Sequence, residues 1–311
     1  MQFAIEAQSL VKKYGGFAAL DDINLVVNRG EIFGFLGPNG AGKSTFVKII
    51  LNLVHATSGS ARIFGEQIER PQARKTVGFL PENIRIYPYL SIEEFLRFHA
   101  ELIGISSKKI NDDIDSCLSD VALESVRTQK IGTLSKGMLQ RTGIAQAILG
   151  NPELLILDEP TSGLDPIGFT ELRRLLLEMK ARGTTIFLNS HLLSEVERTC
   201  DRVAILNKGK IIKSGSRDDL SDRGKHLEVV AEGFNESMAK AINTLSKKNL
   251  EMDGKYLRIY LSDEKDSVTV HRIIVEAGGW VQSLAWKSES LEELFYRLVK
   301  HEDMGFNKDR P

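Results

Sequence analysis

A glycine-rich run followed by a lysine and two hydroxyl residues carries the clearest chemistry in this sequence. Residues 37–45, GPNGAGKST, match the pattern G-x-x-x-x-G-K-[ST]. Glycines let backbone N–H groups curl around phosphates, and the start of the following helix adds partial positive charge. Lys43 is placed to reach the β- and γ-phosphates, and Ser44 to bind Mg²⁺. The run therefore predicts a nucleoside triphosphate site built from Gly37, Pro38, Asn39, Gly40, Ala41, Gly42, Lys43, Ser44 and Thr45.

Two acids at the end of an apolar run could bind the metal ion and activate the water needed to hydrolyse a bound triphosphate. The run 154–159 reads LLILDE. Asp158 is expected to hold Mg²⁺, directly or through water, and Glu159 to orient or deprotonate the attacking water. A guanine-reading N-K-x-D string would indicate a G protein. The nearest string, at 207–210, reads NKGK and lacks the acid, which disfavours guanine.

Apolar runs and turn signals place these groups in an α/β domain. A short strand at 31–36, a glycine turn and a helix at 43–53 form the start of a phosphate-binding unit. The fully apolar run 154–157 is typical of a buried parallel strand. Phe3–Tyr14 is predicted to be an edge strand, and the apolar run 23–28 a second strand. Helical patterns at about 88–150 predict a helical insertion. It opens with a Ser91–Glu94 capping box, and its first helix is expected to turn one apolar face inward. That face carries Phe95, Phe98 and Leu102.

The pattern changes beyond residue 215. Residues 216–225 are polar and are predicted to be a linker. Residues 226–300 show the order strand, helix, strand, strand, helix, strand and a final helix, which predicts a ferredoxin-like α+β domain. Residues 301–311 are predicted to be a polar tail. The final helix should start with a Ser290–Glu293 capping box and bury one apolar stripe. The stripe consists of Leu291, Leu294, Phe295, Leu298 and Val299.

Composition limits the classes of protein that remain. The chain has 311 residues, which suits two domains, and a formal net charge of −1. Without a basic excess, no nucleic-acid partner is expected. Cys117 and Cys200 lie far apart and outside any CxxC pair, so neither a disulfide framework nor a zinc site is predicted. The N-terminus does not read as a signal peptide, and no apolar stretch approaches the roughly 20 residues of a membrane span. Any membrane role is therefore expected to come through a partner.

One segment carries a family resemblance. Residues 134–138, LSKGM, followed by QRTGIAQAILGNPELLILDEPTSGLDP, resemble the ABC ATPase signature, which usually reads LSGGQ. Lys136 replaces a glycine and Met138 replaces the glutamine. The resemblance covers residues 4 to about 215. It implies a P-loop NTPase fold of ABC type, with an N-terminal antiparallel β part and a helical subdomain.

The resemblance also implies residues that act across a dimer interface. In the family, the signature contacts the γ-phosphate held by the opposite subunit, which assigns that role to Ser135 and Gly137. Residues 162–165, SGLD, resemble the D-loop, which crosses the interface and includes Asp165. Local patterns give Ser135 and Asp165 a second role, because each stands at the N-cap of a predicted helix.

Three further residues take roles from the resemblance. His191 resembles the switch histidine that contacts the γ-phosphate and the attacking water. Tyr14 is expected to stack on adenine. Glu82 stands in the Q-loop, where the family usually has glutamine. It is expected to ligate Mg²⁺ through oxygen while adding negative charge near the metal.

The function implied is ATP hydrolysis with ATP and Mg²⁺, coupled to transport through a separate membrane permease subunit. The ATPase is expected to work as a homodimer, or as a heterodimer with a second ABC ATPase subunit, on the cytoplasmic side of the membrane. Glu82, the LSKGM signature and the long C-terminal region resemble exporters of the ABC-2, or daunorubicin-resistance, type, so export is favoured. The cargo is not revealed.

Two alternatives remain at this point. A soluble ABC ATPase acting on ribosomes or DNA usually carries two cassettes or a long coiled coil, whereas residues 46–133 show no sustained heptads. A small-molecule kinase with a phosphate-binding loop would need neither the signature nor the switch histidine.

Overall fold

The structure is a computed structural model that describes residues 3–216, 226–247, 250–261, 263, 265–287 and 290–305. The chain divides into two compact units, 1–216 and 217–311. Most of the predicted linker (217–225) and the end of the predicted tail (306–311) lie outside the described residues. None of the described helices is both long enough and apolar enough to cross a membrane.

The first unit contains both strands and helices. Strands β1–β10 are, in order, Phe3–Tyr14, Phe17–Asn28, Ile32–Leu36, Ser58–Ile63, Glu66–Gln67, Val77–Leu80, Leu154–Asp158, Thr185–Asn189, Arg202–Asn207 and Lys210–Ser216. Helices α1–α6 are Lys43–Ile50, Ile92–Leu102, Ile110–Asp120, Lys136–Ile148, Pro166–Ala181 and Leu193–Thr199.

An antiparallel sheet in the order β2-β1-β4-β5 forms the N-terminal part. The prediction that β1 is an edge strand is wrong, because it pairs with β2 on one side and β4 on the other. Strand β2 begins earlier than its apolar run, since the Gly15-Gly16 turn brings Phe17 opposite Tyr14. A two-residue glycine turn of this kind favours a tight hairpin.

The second sheet has the order β10-β9-β3-β8-β7-β6 and positions the predicted site. Its neighbouring strands are parallel except for β10, which runs antiparallel to β9. Strands β3, β8 and β7 are adjacent, so the phosphate-binding loop, Asn189 and Asp158 meet at one edge of the sheet. The carboxyl edge of a parallel sheet is where ligands bind in open α/β folds. Behind it, Phe35, Phe46 and Phe187 pack together with ring centroids 4.9–5.7 Å apart.

Helices α2, α3 and α4 form the helical part between β6 and β7. The capping box at the start of α2 is confirmed, because the Ser91 side chain accepts from the backbone of Glu94 and the Glu94 carboxylate accepts from the backbone of Ser91. The predicted inward face is wrong at Phe98 and Leu102, which are 46% and 66% exposed. The helix instead buries a stripe consisting of Ile92, Phe95, Leu96 and Ala100.

The second unit is a four-stranded antiparallel sheet with helices. Strands β11–β14 are His226–Glu232, Glu251–Asp253, Tyr256–Ile259 and Trp280–Lys287, in the order β12-β13-β11-β14, and helices α7–α9 are Glu236–Asn243, Asp266–Glu276 and Leu291–Gly305. The predicted order of elements is confirmed. The Ser290–Glu293 capping box is also confirmed. Leu291 and Leu294 are buried, and the rest of the predicted stripe is half-buried.

Candidate nucleotide-binding site

A cavity of about 460 Å³ opens at the carboxyl ends of β7 and β8, beside the start of α1. Most of the predicted nucleotide and metal residues line it, whereas Gly37, Pro38 and Ala41 belong to the same loop without lining the cavity. Phe17, Ala19 and Asn189 line it without having been predicted. The full lining consists of Tyr14, Phe17, Ala19, Asn39, Gly40, Gly42, Lys43, Ser44, Thr45, Glu82, Asp158, Glu159 and Asn189.

The glycines of the loop are required by its backbone. Gly40 and Gly42 have φ angles of 80° and 110°, a region that side-chain-bearing residues rarely adopt. A Cβ atom at Gly42 would also collide with the carbonyl oxygen of Ala19, and one at Gly37 with that of Leu206. The loop is therefore locked in a shape that places backbone N–H groups at the start of α1, an arrangement suited to phosphate.

Lys43 is the buried cation of this loop. Its Nζ donates to the carbonyl oxygens of Gly37, at 2.7 Å, and Pro38, at 3.3 Å. Burial lowers the pKa of Lys43, while the nearby carboxylates of Glu159 and Asp158 act in the opposite direction. A cation held on backbone carbonyls beside two acids is well placed to meet phosphate oxygens.

Asp158 and Glu159 at the end of β7 are held by Asn189 at the end of β8. The Nδ2 group of Asn189 donates to the Asp158 carboxylate, and its backbone oxygen accepts from the N–H of Glu159 at 2.8 Å. Burial raises the pKa of Asp158, and the hydrogen bond from Asn189 opposes that rise. Glu159 has a φ of 53°. Such strain in a non-glycine residue persists where the surrounding structure fixes it.

His191 reaches this pair from the segment after β8. Its Nδ1 lies 2.6 Å from Oε2 of Glu159, and its side chain is 61% exposed while that of Glu159 is 11% exposed. The imidazole therefore contacts the buried carboxylate from the open side. Because His191 is not among the residues lining the cavity, it joins the site through Glu159.

The oxygen atoms that line the cavity suit a Mg²⁺ ion that is also bound by the phosphates of a nucleotide. The Ser44 hydroxyl and the carboxylates of Asp158 and Glu82 line the same space, and Asn189 Oδ1 is buried there without a partner in the described chain. Among the described residues, no group of three or more His, Cys, Asp or Glu side chains could hold a metal unaided. Mg²⁺ needs no such group, because it takes one or two carboxylates and completes its shell with phosphates and water.

Two aromatic side chains stand on the hairpin that borders the cavity. Tyr14 and Phe17 pair across the β1–β2 turn and are 50% and 64% exposed. The Lys12 ammonium lies 4.8 Å from the Tyr14 ring centroid. Exposed rings at a cavity mouth offer a stacking surface for a base. Phe17 was missed because its strand was predicted to start later; the Gly15-Gly16 turn just before it was the available signal.

The remaining predicted residues do not line the cavity. Ser135 caps α4 by accepting from the N–H of Met138 at 3.2 Å, and Asp165 caps α5 by accepting from that of Gly168 at 2.7 Å. Gly137 stands in the first turn of α4. These residues are thus not brought together with Lys43 and Glu159 in one cavity of a single chain.

The signature segment is nevertheless docked on the segment that follows Glu159. The buried Gln140 donates through Nε2 to the carbonyl oxygen of Pro160 at 2.9 Å. A Cβ atom at Gly137 would lie 3.3 Å from the carbonyl oxygen of Gly163, so glycine allows close approach there. This contact was not predicted, and no local pattern around residue 140 signals it.

Comparisons with known proteins identify the family of this chain. A family model described as ABC transporter matches residues 20–162. The bacitracin transport ATP-binding protein BcrA of Bacillus licheniformis is 38% identical over 305 residues, covering 96% of this chain and 98% of BcrA.

Solved structures resemble about 70% of this chain. The structure of an ATP-binding subunit of an ABC transporter has a TM-score of 0.67 and 34% identity, covering 71% of this chain and 92% of that chain. The dimeric structure of MJ0796, a bacterial ABC transporter cassette, has a TM-score of 0.64 and 26% identity, covering 68% of this chain and 98% of that chain. This chain therefore belongs to the ATP-binding subunits of ABC transporters, which hydrolyse ATP to ADP and phosphate for transport.

Proposed function

We propose that two such subunits clamp ATP between them and drive export through a separate membrane permease. The observation that carries the proposal is the separation of the site residues. Lys43, Asp158 and Glu159 surround one cavity, whereas Ser135 and Gly137 lie outside it on the first turn of α4. A second subunit placed head to tail would supply the missing side, and the likeness to a dimeric cassette supports this arrangement.

Within each subunit the residues take distinct roles toward ATP. The loop at 37–45 wraps the phosphates with backbone N–H groups, and Lys43 neutralises the β- and γ-phosphates. Tyr14 stacks on the adenine, with Phe17 beside it. Glu159 accepts a proton from the water that attacks the γ-phosphorus, and ADP departs as the leaving group. His191 orients the Glu159 carboxylate and leaves its Nε2 for the γ-phosphate or the water.

The metal residues act on the same phosphates. Ser44, Asp158 and Glu82 would hold Mg²⁺, with Asp158 fixed by its bond from Asn189. When bound, Mg²⁺ neutralises charge that develops on the phosphate oxygens. Glu82 lies on the segment between β6 and α2, which leads from the nucleotide cavity into the helical part. Glu82 is therefore placed to relay the presence of nucleotide to α2.

An exposed apolar surface on the helical part supports docking of the permease. Its members are 46–67% exposed, although each has a large apolar side chain: Tyr87, Tyr89, Phe98, Leu102 and Ile103. The Tyr87 and Tyr89 ring centroids lie 5.7 Å apart, and clustered exposed apolar side chains of this size mark interaction sites. The permease would bring its own cargo-binding surface, and the ATPase would lie on the cytoplasmic face of the membrane. The likeness to a bacitracin transport protein over nearly the whole chain supports a role in moving a compound of that kind.

The proposed domain division is an ATPase domain at 1–215, with a helical subdomain at about 88–150, and an accessory domain at 226–300. The antiparallel order β12-β13-β11-β14 supports a ferredoxin-like class for the accessory domain. Its core, which includes Leu227, Val229 and Ile274, is made of its own residues. That supports an accessory rather than a nucleotide-binding role.

The first test replaces the catalytic carboxylate. Glu159→Gln should still bind Mg-ATP but hydrolyse it slowly, so ATP-bound dimers should accumulate. Light scattering on the full chain with and without Mg-ATP measures the mass. A mass that stays monomeric with Mg-ATP, even with the permease present, would contradict the clamp.

A mixing experiment tests whether the site is composed in trans. Ser135→Arg should block hydrolysis by crowding the γ-phosphate held by the opposite subunit. A mixture with Lys43→Ala subunits forms heterodimers in which one site has both lesions and the other has none. Partial ATPase activity should return. Absence of recovery in purified heterodimers would argue against sites shared between subunits.

A further inference from the structure

The nucleotide cavity carries an excess of negative charge. Three carboxylates line it, from Glu82, Asp158 and Glu159, whereas Lys43 is the one lysine or arginine among its described lining residues. Triphosphate oxygens bring further negative charge, only part of which Mg²⁺ offsets. Glu82 departs from the family pattern, because glutamine is usual there. A compensating cation is therefore expected from outside the cavity.

Lys136 is an exposed cation in an unfavourable place. It occupies the first position of α4, directly after the N-cap Ser135, and the first turn contains no acid. The start of a helix carries partial positive charge, so a lysine there is repelled rather than stabilised. Lys136 forms no ion pair with the described part of its own chain. Within that described part, its charge therefore lacks a partner.

The side chain of Lys136 is nonetheless held in position. A Cβ atom built on Gly163 would lie 2.7–2.9 Å from the Cγ, Cδ and Cε atoms of Lys136. The stem thus packs directly on the Gly163 backbone, whose φ of 82° already favours glycine. Gly163 belongs to the segment between Glu159 and Asp165. The packed methylene groups of Lys136 therefore hold its ammonium at the surface proposed to face the second subunit.

We propose that Lys136 of one subunit neutralises the extra charge that Glu82 brings to the nucleotide site of the other subunit. This inference rests on the proposed head-to-tail clamp. Two of the departures from the family pattern, a carboxylate for glutamine at Glu82 and a lysine for glycine at Lys136, have opposite charges. They meet in one composite site, where Lys136 also faces the γ-phosphate. Lys136 is a positioning and binding residue and transfers no proton.

A double-mutant cycle measures the coupling. All proteins carry Glu159→Gln, and light scattering gives the protein concentration of half-maximal dimerisation in saturating Mg-ATP. Lys136→Met keeps the length of the stem and removes the charge. With Glu82 present it should weaken the dimer about thirtyfold. Each of the two sites loses a charge pair worth about threefold, and the lost phosphate contacts of both sites together account for a further factor of about three. With Glu82→Gln it should weaken the dimer only about threefold. Equal losses in the two backgrounds would overturn the proposal.

Heterodimers purified through two affinity tags show whether Glu82 pairs with Lys136 of the other subunit or with Lys136 of its own subunit. In the first, one subunit carries Glu82→Gln and the other Lys136→Met, so one composite site has both changes and the other has neither. In the second, one subunit carries both changes and the other carries neither. Pairing across the interface makes the first heterodimer about threefold tighter. Equal affinities, or a tighter second heterodimer, would refute it.

Controls separate this inference from the proposed function and from misfolding. Lys136→Arg keeps the charge and should dimerise like the parent. Lys136→Met should leave the ATP affinity of the monomer unchanged, since Lys136 does not line its own cavity. If the Glu159→Gln parent itself forms no Mg-ATP-dependent dimer, the clamp fails. If the parent dimerises and the cycle shows no coupling, only the Glu82–Lys136 pairing fails.

Discussion

The imidazole of His191 lies 2.6 Å from the Glu159 carboxylate and approaches it from the exposed side of the site. Glu159 is fixed on its other side by its backbone bond to Asn189. The end of β8 thus fixes the Glu159 backbone through Asn189, and the segment just after β8 holds the carboxylate through His191. A base that must accept a proton from one water benefits from such a fixed direction.

His191→Ala should reduce ATP turnover by about a hundredfold while leaving ATP affinity nearly unchanged, because the carboxylate stays but loses its orientation. Added to Glu159→Gln, the same change should lower turnover little further, since the two residues act as a unit. Steady-state phosphate release from the single and double variants gives the comparison. Multiplicative losses would mean that His191 acts independently of Glu159.

Lys43→Ala should nearly abolish hydrolysis, because the β- and γ-phosphates lose their buried cation. Lys48→Ala is a matched control on the same helix, since Lys48 is exposed and does not line the cavity. Only the first variant should lose phosphate release and nucleotide binding. Turnover near that of the unmodified protein in Lys43→Ala would remove the loop from the site.

Asp158→Asn should abolish Mg²⁺-dependent hydrolysis yet raise the free energy of unfolding of the nucleotide-free protein at neutral pH. Burial raises the pKa of Asp158, so its ionised form costs stability in the folded state. The asparagine can still accept the bond from Asn189. Urea denaturation of both proteins measures the difference, and circular dichroism serves as the folding check.

The sign of the pH dependence follows from the raised pKa of Asp158. As pH falls through that raised value, the folded protein takes up the proton first and regains the lost stability. The regain is complete below the ordinary aspartate pKa of about 3.9. The advantage of Asp158→Asn should therefore shrink as pH falls from 7 toward 4. An advantage that grows over this range would contradict the assignment.

Local sequence patterns predicted the residues whose roles depend on neighbours in the chain. The phosphate-binding loop and the Asp158–Glu159 pair each occupy one turn beside a strand, so their spacing reveals them. Asn189 was not predicted to hold Asp158, because that contact depends on β8 lying next to β7. The bond from Gln140 to Pro160 likewise joins residues 20 positions apart. Contacts of this kind arise from topology, which single-chain periodicity does not specify.

The surface of α2 shows a different reason for failure. Periodicity placed Phe98 and Leu102 on the inward face, whereas both are exposed. The helix has more apolar residues than its core contacts require, so pattern alone could not choose between two overlapping stripes. Excess apolar surface of this kind is expected where a partner docks. The error thus coincides with the surface proposed to meet the permease.

Truncation after Gly215 tests the role of the second unit. The cavity is lined entirely by residues of the first unit, from Tyr14 to Asn189, and the second unit has a core of its own. The truncated protein should therefore keep its ATP affinity within about twofold of the full chain. Permease-stimulated turnover or ATP-dependent dimer stability should change instead.

Three measurements on the truncated protein separate the possibilities: circular dichroism for folding, equilibrium binding for ATP affinity, and phosphate release with and without the permease. A folded fragment that no longer binds ATP would mean that residues beyond 215 contribute to the site and that the proposed domain division is wrong.

A matched control comes from within α9, where Leu294 is buried while Tyr296 is 56% exposed. If the second unit acts through an exposed surface, Tyr296→Ala in the full chain should alter coupling while leaving the fold intact. If it acts only by being folded, Leu294→Ala should reproduce the truncation, because it removes a buried side chain worth about 2–5 kcal/mol, and Tyr296→Ala should have no effect.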